Sequence, residues 1–101
     1  METKIDYDKE YDTLYLFRKG NVKGSIDIGD FIVDMSTSGK VLGVEILNAS
    51  KNFGISRNLL SSVKKAKLNV SYRKDVIQII AFLLLAKKRE IKTMIPIPIS
   101  A

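Results

Sequence analysis

The 101-residue sequence predicts one α+β domain: an antiparallel β-meander, a short central helical segment, and a second antiparallel sheet of three strands. Three observations lead there. Short segments alternate apolar and polar residues with the period of two that half-buried strands require. The turns between them are too short for a parallel crossover, which needs a dozen or more residues. A stripe with helical spacing, Leu59, Leu60 and Val63, lies in the middle of the chain.

The elements follow in order. In Lys4–Asp8, Ile5 and Tyr7 share one face, and Lys4, Asp6 and Asp8 the other. Thr13–Arg18 (TLYLFR) is aromatic and aliphatic, with high strand propensity. Lys19-Gly20-Asn21 is a turn. Val22–Ile28 and Phe31–Met35 are strands parted by Gly29-Asp30, and Ser36–Lys40 is a polar loop in which Gly39 can take the left-handed conformation. Val41–Leu47 is a fifth strand, its Gly43 marking a bulge or a close backbone approach. Asn48 is placed to cap a brief helix, Ala49–Phe53, and Gly54 to end it. Ser56 then caps a second helix running to about Lys65, with Lys64 and Lys65 at the end that favours cations.

Lys67–Arg73 alternates cleanly and reads as a strand. Val76–Ala86 (VIQIIAFLLLA) is apolar on every side, so periodicity leaves strand and helix open. Its β-branched start, just after a strand and a short turn, predicts a long central strand, with Phe82 in the core. Glu90–Ile99 alternates again, with Ile91, Thr93, Ile95, Ile97 and Ile99 on one face. Pro96 and Pro98 lack donors on the same side of that strand, which makes it an edge. Residues 1–101 thus form a single domain, with a meander subregion over 1–54 and a basic helix-plus-strands subregion over 55–101.

Composition narrows the chemistry. With no histidine and no cysteine, the chain has no Ser-His-Asp triad, no cysteine nucleophile and no His- or thiolate-ligated zinc. The absence of cysteine fits the cytoplasm, and the lysine- and isoleucine-rich composition fits a thermophile, though five asparagines argue against the latter. Met1–Lys4 shows no basic region followed by an apolar run, so no secretory signal is expected. Val76–Ala86 is too short to cross a bilayer as a helix. Charge is unevenly spread: residues 1–50 carry a net −3 and residues 51–101 a net +9. Such asymmetry points to an interaction surface: a second copy or a basic protein on the acidic half, a polyanion on the basic half.

Tyr7-Asp8, Asp12, Leu14-Tyr15-Leu16, Ile28-Gly29, Ile32-Val33-Asp34, Gly39 and the run Val41–Lys51 (VLGVEILNASK) occur in an order that resembles the small prokaryotic family known as domain of unknown function 2283. The resemblance covers about residues 4–52, and Val44–Ser50 is its most specific part. Family members are often encoded beside small toxin-like proteins, so the resemblance implies an antitoxin-like, partner-binding role. It carries no catalytic or ligand-binding residues across.

Few constellations could carry chemistry. Asp6, Asp8, Glu10 and Asp12 offer oxygen ligands, with Asp34 a further acid, but calcium-loop spacing is missing, so a solvated face is the simpler reading and no metal or cofactor is expected. A Ser61 pairing with Lys64 or Lys65 is one that a helix surface produces by chance. No catalytic residue is assigned. Lys65, Lys67, Lys87, Lys88 and Arg89 should gather at one end of the second sheet as an anion or nucleic-acid patch. The functional expectation is a non-enzymatic interaction module, self-associating as a homo-oligomer or binding a small protein partner. The alternative is non-specific nucleic-acid binding by the basic half.

Overall fold

A computed structural model describes residues 2–98. Strands β1 (Lys4–Asp8), β2 (Thr13–Phe17), β3 (Val22–Ile28), β4 (Phe31–Ser36) and β5 (Val41–Ile46) form one antiparallel sheet in the order β1-β2-β5-β4-β3. Helices α1 (Ala49–Phe53) and α2 (Arg57–Ser61) lead to a second antiparallel sheet of β6 (Lys65–Tyr72), β7 (Val76–Leu84) and β8 (Glu90–Pro98), with β7 central. The α+β class with two antiparallel sheets is the one the sequence predicts. The first sheet is not a strictly sequential meander, however. β5 inserts between β2 and β4 and leaves β3 on the far edge. Val41, Gly43, Val44 and Ile46 are buried in β5, and a strand this buried belongs where both flanks are covered.

The sheets share one core. Leu14, Leu16, Val33, Val44 and Ile46 from the first meet Leu68, Ile79, Leu83, Ile95 and Ile97 from the second. Ala49, Phe53 and Leu60 add the apolar sides of the two helices, and α1 packs against β8. Polar links cross between the sheets. Tyr72 Oη accepts the Val41 N–H at 2.8 Å, an Arg18 guanidinium nitrogen donates to the Leu68 carbonyl, and Thr3 bridges to Ala66, so the β1 and β6 edges meet.

β7 resolves the strand-or-helix question. Ile77, Ile79, Ala81 and Leu83 are buried, while Val76, Gln78, Ile80 and Phe82 are half-buried on the opposite face. Phe82 therefore lies outside the core, because the odd-numbered residues take the buried side of the pleat. β8 is an edge strand, as its prolines require, and Ile99 of the predicted face lies outside the described residues.

Both helices correct the sequence reading. Asn48 does not cap α1: it sits in the left-handed region at φ 50° and makes no side-chain cap bond. Gly54 ends α1 at φ 69°, as expected. Ser56 caps α2 through its hydroxyl, which accepts the Leu59 N–H at 3.1 Å. α2 stops at Ser61, short of Lys65. The Ser62 hydroxyl donates to the Leu59 carbonyl and the Val63 N–H to the Leu60 carbonyl, tightening the last turn, and Lys65 is already paired opposite Leu84 in β6.

Candidate interaction surface

The register of the second sheet builds its outer face. Across it, Lys67 of β6, Phe82 of β7 and Lys92 of β8 stand side by side; Lys65, Leu84 and Glu90 form the next row, and Asn69, Ile80 and Met94 the row on the other side. The Lys67 ammonium lies 4.6 Å from the centre of the Phe82 ring, a cation–π contact that fixes the ring face-up beneath a charge. Leu84 is 36% exposed and Met94 50% exposed. A shallow depression of about 210 Å³ opens between Lys65, Lys67, Phe82, Leu84 and Glu90. The face is thus an apolar strip flanked by Lys65, Lys67 and Asn69 on one side and by Glu90 and Lys92 on the other.

The five cations assigned from sequence lie at one end of this sheet. Lys65 and Lys67 start β6, opposite Leu84 and Phe82 at the end of β7. Lys87, Lys88 and Arg89 sit in the turn that follows, closed by the Leu85 N–H donating to the Arg89 carbonyl at 2.7 Å. Lys87 and Lys88 take left-handed backbone at φ 60° and 58°, and all five residues are exposed. Lys92 completes the strip and was not among the five. Its place follows from the pairing of β8 with β7, which strand periodicity alone does not fix.

The acidic residues behave otherwise. Asp6 and Asp8 lie on the outer face of the first sheet, where they line a depression of about 430 Å³ with Tyr11, Thr13, Tyr15 and Glu45. The Asp34 carboxylate accepts the Tyr15 hydroxyl at 2.5 Å and the Ser25 hydroxyl at 2.8 Å. Burial, then this bond, pushes the Tyr15 hydroxyl pKa up to about 12. Among the described residues, no three histidine, cysteine, aspartate or glutamate side chains converge as a metal-binding group. The Ser61 hydroxyl donates to the Arg57 carbonyl at 2.9 Å, so it is engaged in its own helix rather than with a lysine.

Asp12 leaves the acidic cluster altogether. It is 3% exposed, in left-handed backbone at φ 54°. Its carboxylate accepts the Tyr7 hydroxyl at 2.6 Å, the Ser50 hydroxyl at 2.6 Å and the Ser50 N–H at 3.1 Å. Its carbonyl accepts the Ala49 N–H at 2.9 Å. Asp12 thus caps α1 from 38 residues away, the role expected of Asn48. Burial alone would raise its pKa. The bonds from Ser50 and Tyr7, with Arg57 nearby at 3.8 Å, outweigh burial and hold the carboxyl below its ordinary value. Burial, followed by the bond to Asp12, lifts Tyr7 well above the usual tyrosine range. This cluster holds the first sheet to α1.

No helix among the described residues is long and apolar enough to cross a membrane. No solved structure matches the chain significantly. An uncharacterized protein of Methanocaldococcus jannaschii is 39% identical over 94 residues, covering 90% of this chain and 81% of that protein. A Methanosarcina mazei protein named "Putative hypoxanthine phosphoribosyltransferase" is 32% identical over 72 residues, 68% of this chain and 58% of that protein. Residues 4–50, which hold the whole first sheet and the Asp12–Ser50 link, match the family described as "Protein of unknown function (DUF2283)", and the chain belongs to that family.

Proposed function

We propose that the chain is a non-enzymatic interaction module that self-associates or docks on a small protein partner, and that a partner docks on the outer face of the second sheet. The observation that carries this reading is the strip of Ile80, Phe82, Leu84 and Met94 lined by Lys65, Lys67 and Lys92. A strip that is apolar at its centre and net positive at its sides, three lysines against Glu90, suits an acidic amphipathic protein segment, whose apolar side chains cover the strip while its carboxylates meet the lysines. The lack of histidine and cysteine leaves the face without the usual general base or nucleophile.

A second reading is favoured by one contact. An aromatic ring on a sheet face with a lysine above it resembles a stacking platform for a single-stranded base, with Lys65, Lys87, Lys88 and Arg89 near enough to meet phosphates. One titration separates the two. The ¹⁵N-labelled chain is followed by NMR while an alternating Glu-Leu peptide, and separately an oligouridine, is added at low salt. Peptide-induced shifts confined to residues 65–69, 80–84 and 90–94, and abolished by Lys67→Glu with Lys92→Glu, are expected. Shifts with oligouridine alone, fading steeply with salt, would move the assignment to nucleic acid. Shifts with neither probe, or spread over the first sheet, would remove this face from consideration.

A further inference from the structure

Among the described residues there are four sheet edges, and that of β3 is the least guarded. The edges of β1 and β6 meet at the Thr3–Ala66 bridge. The edge of β8 carries Pro96 and Pro98, which cannot donate to an incoming strand. β3 has no such cover: it contains no proline, and six of its seven residues are exposed. Ile26 is 38% exposed, although it stands opposite the fully buried Val33. The apolar side of the first sheet therefore runs past its core at this edge.

The sequence of β3, Val22-Lys23-Gly24-Ser25-Ile26-Asp27-Ile28, is complementary to its own reverse. A second copy laid antiparallel about Ser25 places Lys23 opposite the partner's Asp27, and Asp27 opposite the partner's Lys23. Ile26 meets the partner's Gly24, where the missing side chain leaves room. In an antiparallel pair, directly opposed residues must share a face, so a twofold axis has to pass through a residue position. An axis through Ile26 would set Ser25 against Asp27, and one through Gly24 would set Lys23 against Ser25. Only the axis through Ser25 pairs opposite charges twice. The register shift between Val22 and Gly24 bends one end of the strand and leaves residues 24–28 regular. Lys23 sits at that bend, and a lysine side chain is long and flexible enough to reach the partner's Asp27.

We infer that β3 is a homodimer edge: two copies pair antiparallel about Ser25 and join their five-stranded sheets into one continuous ten-stranded sheet. This rests on reading the chain as an interaction module, yet it uses a surface remote from the second sheet's outer face. It is an isologous interface and closes at two copies.

Sedimentation equilibrium of the full chain tests it, with Lys23→Glu, Asp27→Lys and the double exchange. Wild type is expected as a dimer. Each single reversal turns two attractive cross-strand pairs repulsive and should weaken the dimer roughly tenfold, while the exchange of both charges restores it. The chain has no cysteine, so Ser25→Cys gives one thiol per copy and should cross-link to a disulfide dimer on oxidation. Circular dichroism of each variant reports whether it is folded. A monomeric wild type at millimolar concentration, a dimer indifferent to both reversals, or a double exchange no better than the singles would overturn the inference. Lys67→Glu with Lys92→Glu should leave dimerisation intact, so failure of the docking face and failure of this edge are read separately.

Discussion

Replacing Asp12 tests the link between the first sheet and the helices. Asp12→Asn keeps an acceptor oxygen and a residue type that tolerates φ 54°, but removes the charge. The bonds from Tyr7 and from the Ser50 hydroxyl and N–H then become neutral, at about half their strength, so a loss of about 2 kcal/mol is expected. Arg57 is 51% exposed on its side chain, so its ion pair adds little. Asp12→Ala strands all three donors and puts a residue with no local preference for it into left-handed backbone; about 4 kcal/mol is expected. Against a total of about 5–15 kcal/mol for a domain, the alanine variant stands close to unfolding. Urea denaturation followed by circular dichroism gives both values. The pH dependence supplies a second readout. The Asp12 pKa is lower in the folded chain than its ordinary 3.8, so its stabilisation is present above that value and is lost as pH falls through the folded pKa. Wild type minus Asp12→Asn should therefore shrink below about pH 4, other carboxylates cancelling in the difference. An asparagine variant as stable as wild type, or a difference that stays flat down to pH 2, would refute the assignment of Asp12 as an ionised cap.

Three further outcomes are expected. Gly43→Ala should cost about 1–3 kcal/mol in urea melts, because a Cβ there meets the Leu16 carbonyl oxygen at 3.0 Å and Phe17 Cβ at 3.1 Å. Tyr15→Phe should remove stability that wild type has below pH 10 and loses as pH rises through about 12, so the two proteins converge in alkaline melts. Tyr72→Phe leaves the Val41 N–H without its 2.8 Å partner and should cost about 1–2 kcal/mol, read as a lowered urea midpoint.

Local signals made most strands legible. Gly39 and Gly54 stand at φ 79° and 69°, where the turn and the helix end require them. Pro96 and Pro98 mark β8 as an edge by their missing donors alone. What the sequence hid is what depends on distant partners. Asn48 has the right chemistry for a cap, yet Asp12 arrives from the first hairpin and takes the donors. β5 leaves no local sign that it pairs with β2 as well as β4. The run from Val76 reads as apolar throughout because its outward residues, Ile80 and Phe82 among them, form the half-exposed strip of the candidate site. The same ambiguity hid Phe82 as a surface group. Lys65 was legible as part of a basic cluster but not as the first residue of a strand, since its partner Leu84 lies nineteen positions on.

The charge asymmetry along the chain becomes an asymmetry in space. The two sheets bury their inner faces against each other, so alternation sends Asp6, Asp8, Asp34 and Glu45 to one side of the molecule and Lys65, Lys67 and Lys92 to the other. Pairing through β3 would preserve this arrangement. A twofold axis perpendicular to the joined sheet turns each copy within the plane and exchanges neither face, so both acidic faces look one way and both lysine strips the other. The dimer would then present two equivalent docking strips on a single side. A partner with two acidic segments could engage both, gaining avidity without any new contact. A monomer has only one strip to offer. Reversing Lys23 alone should therefore weaken a two-segment acidic peptide far more than a one-segment peptide, even though Lys23 touches neither.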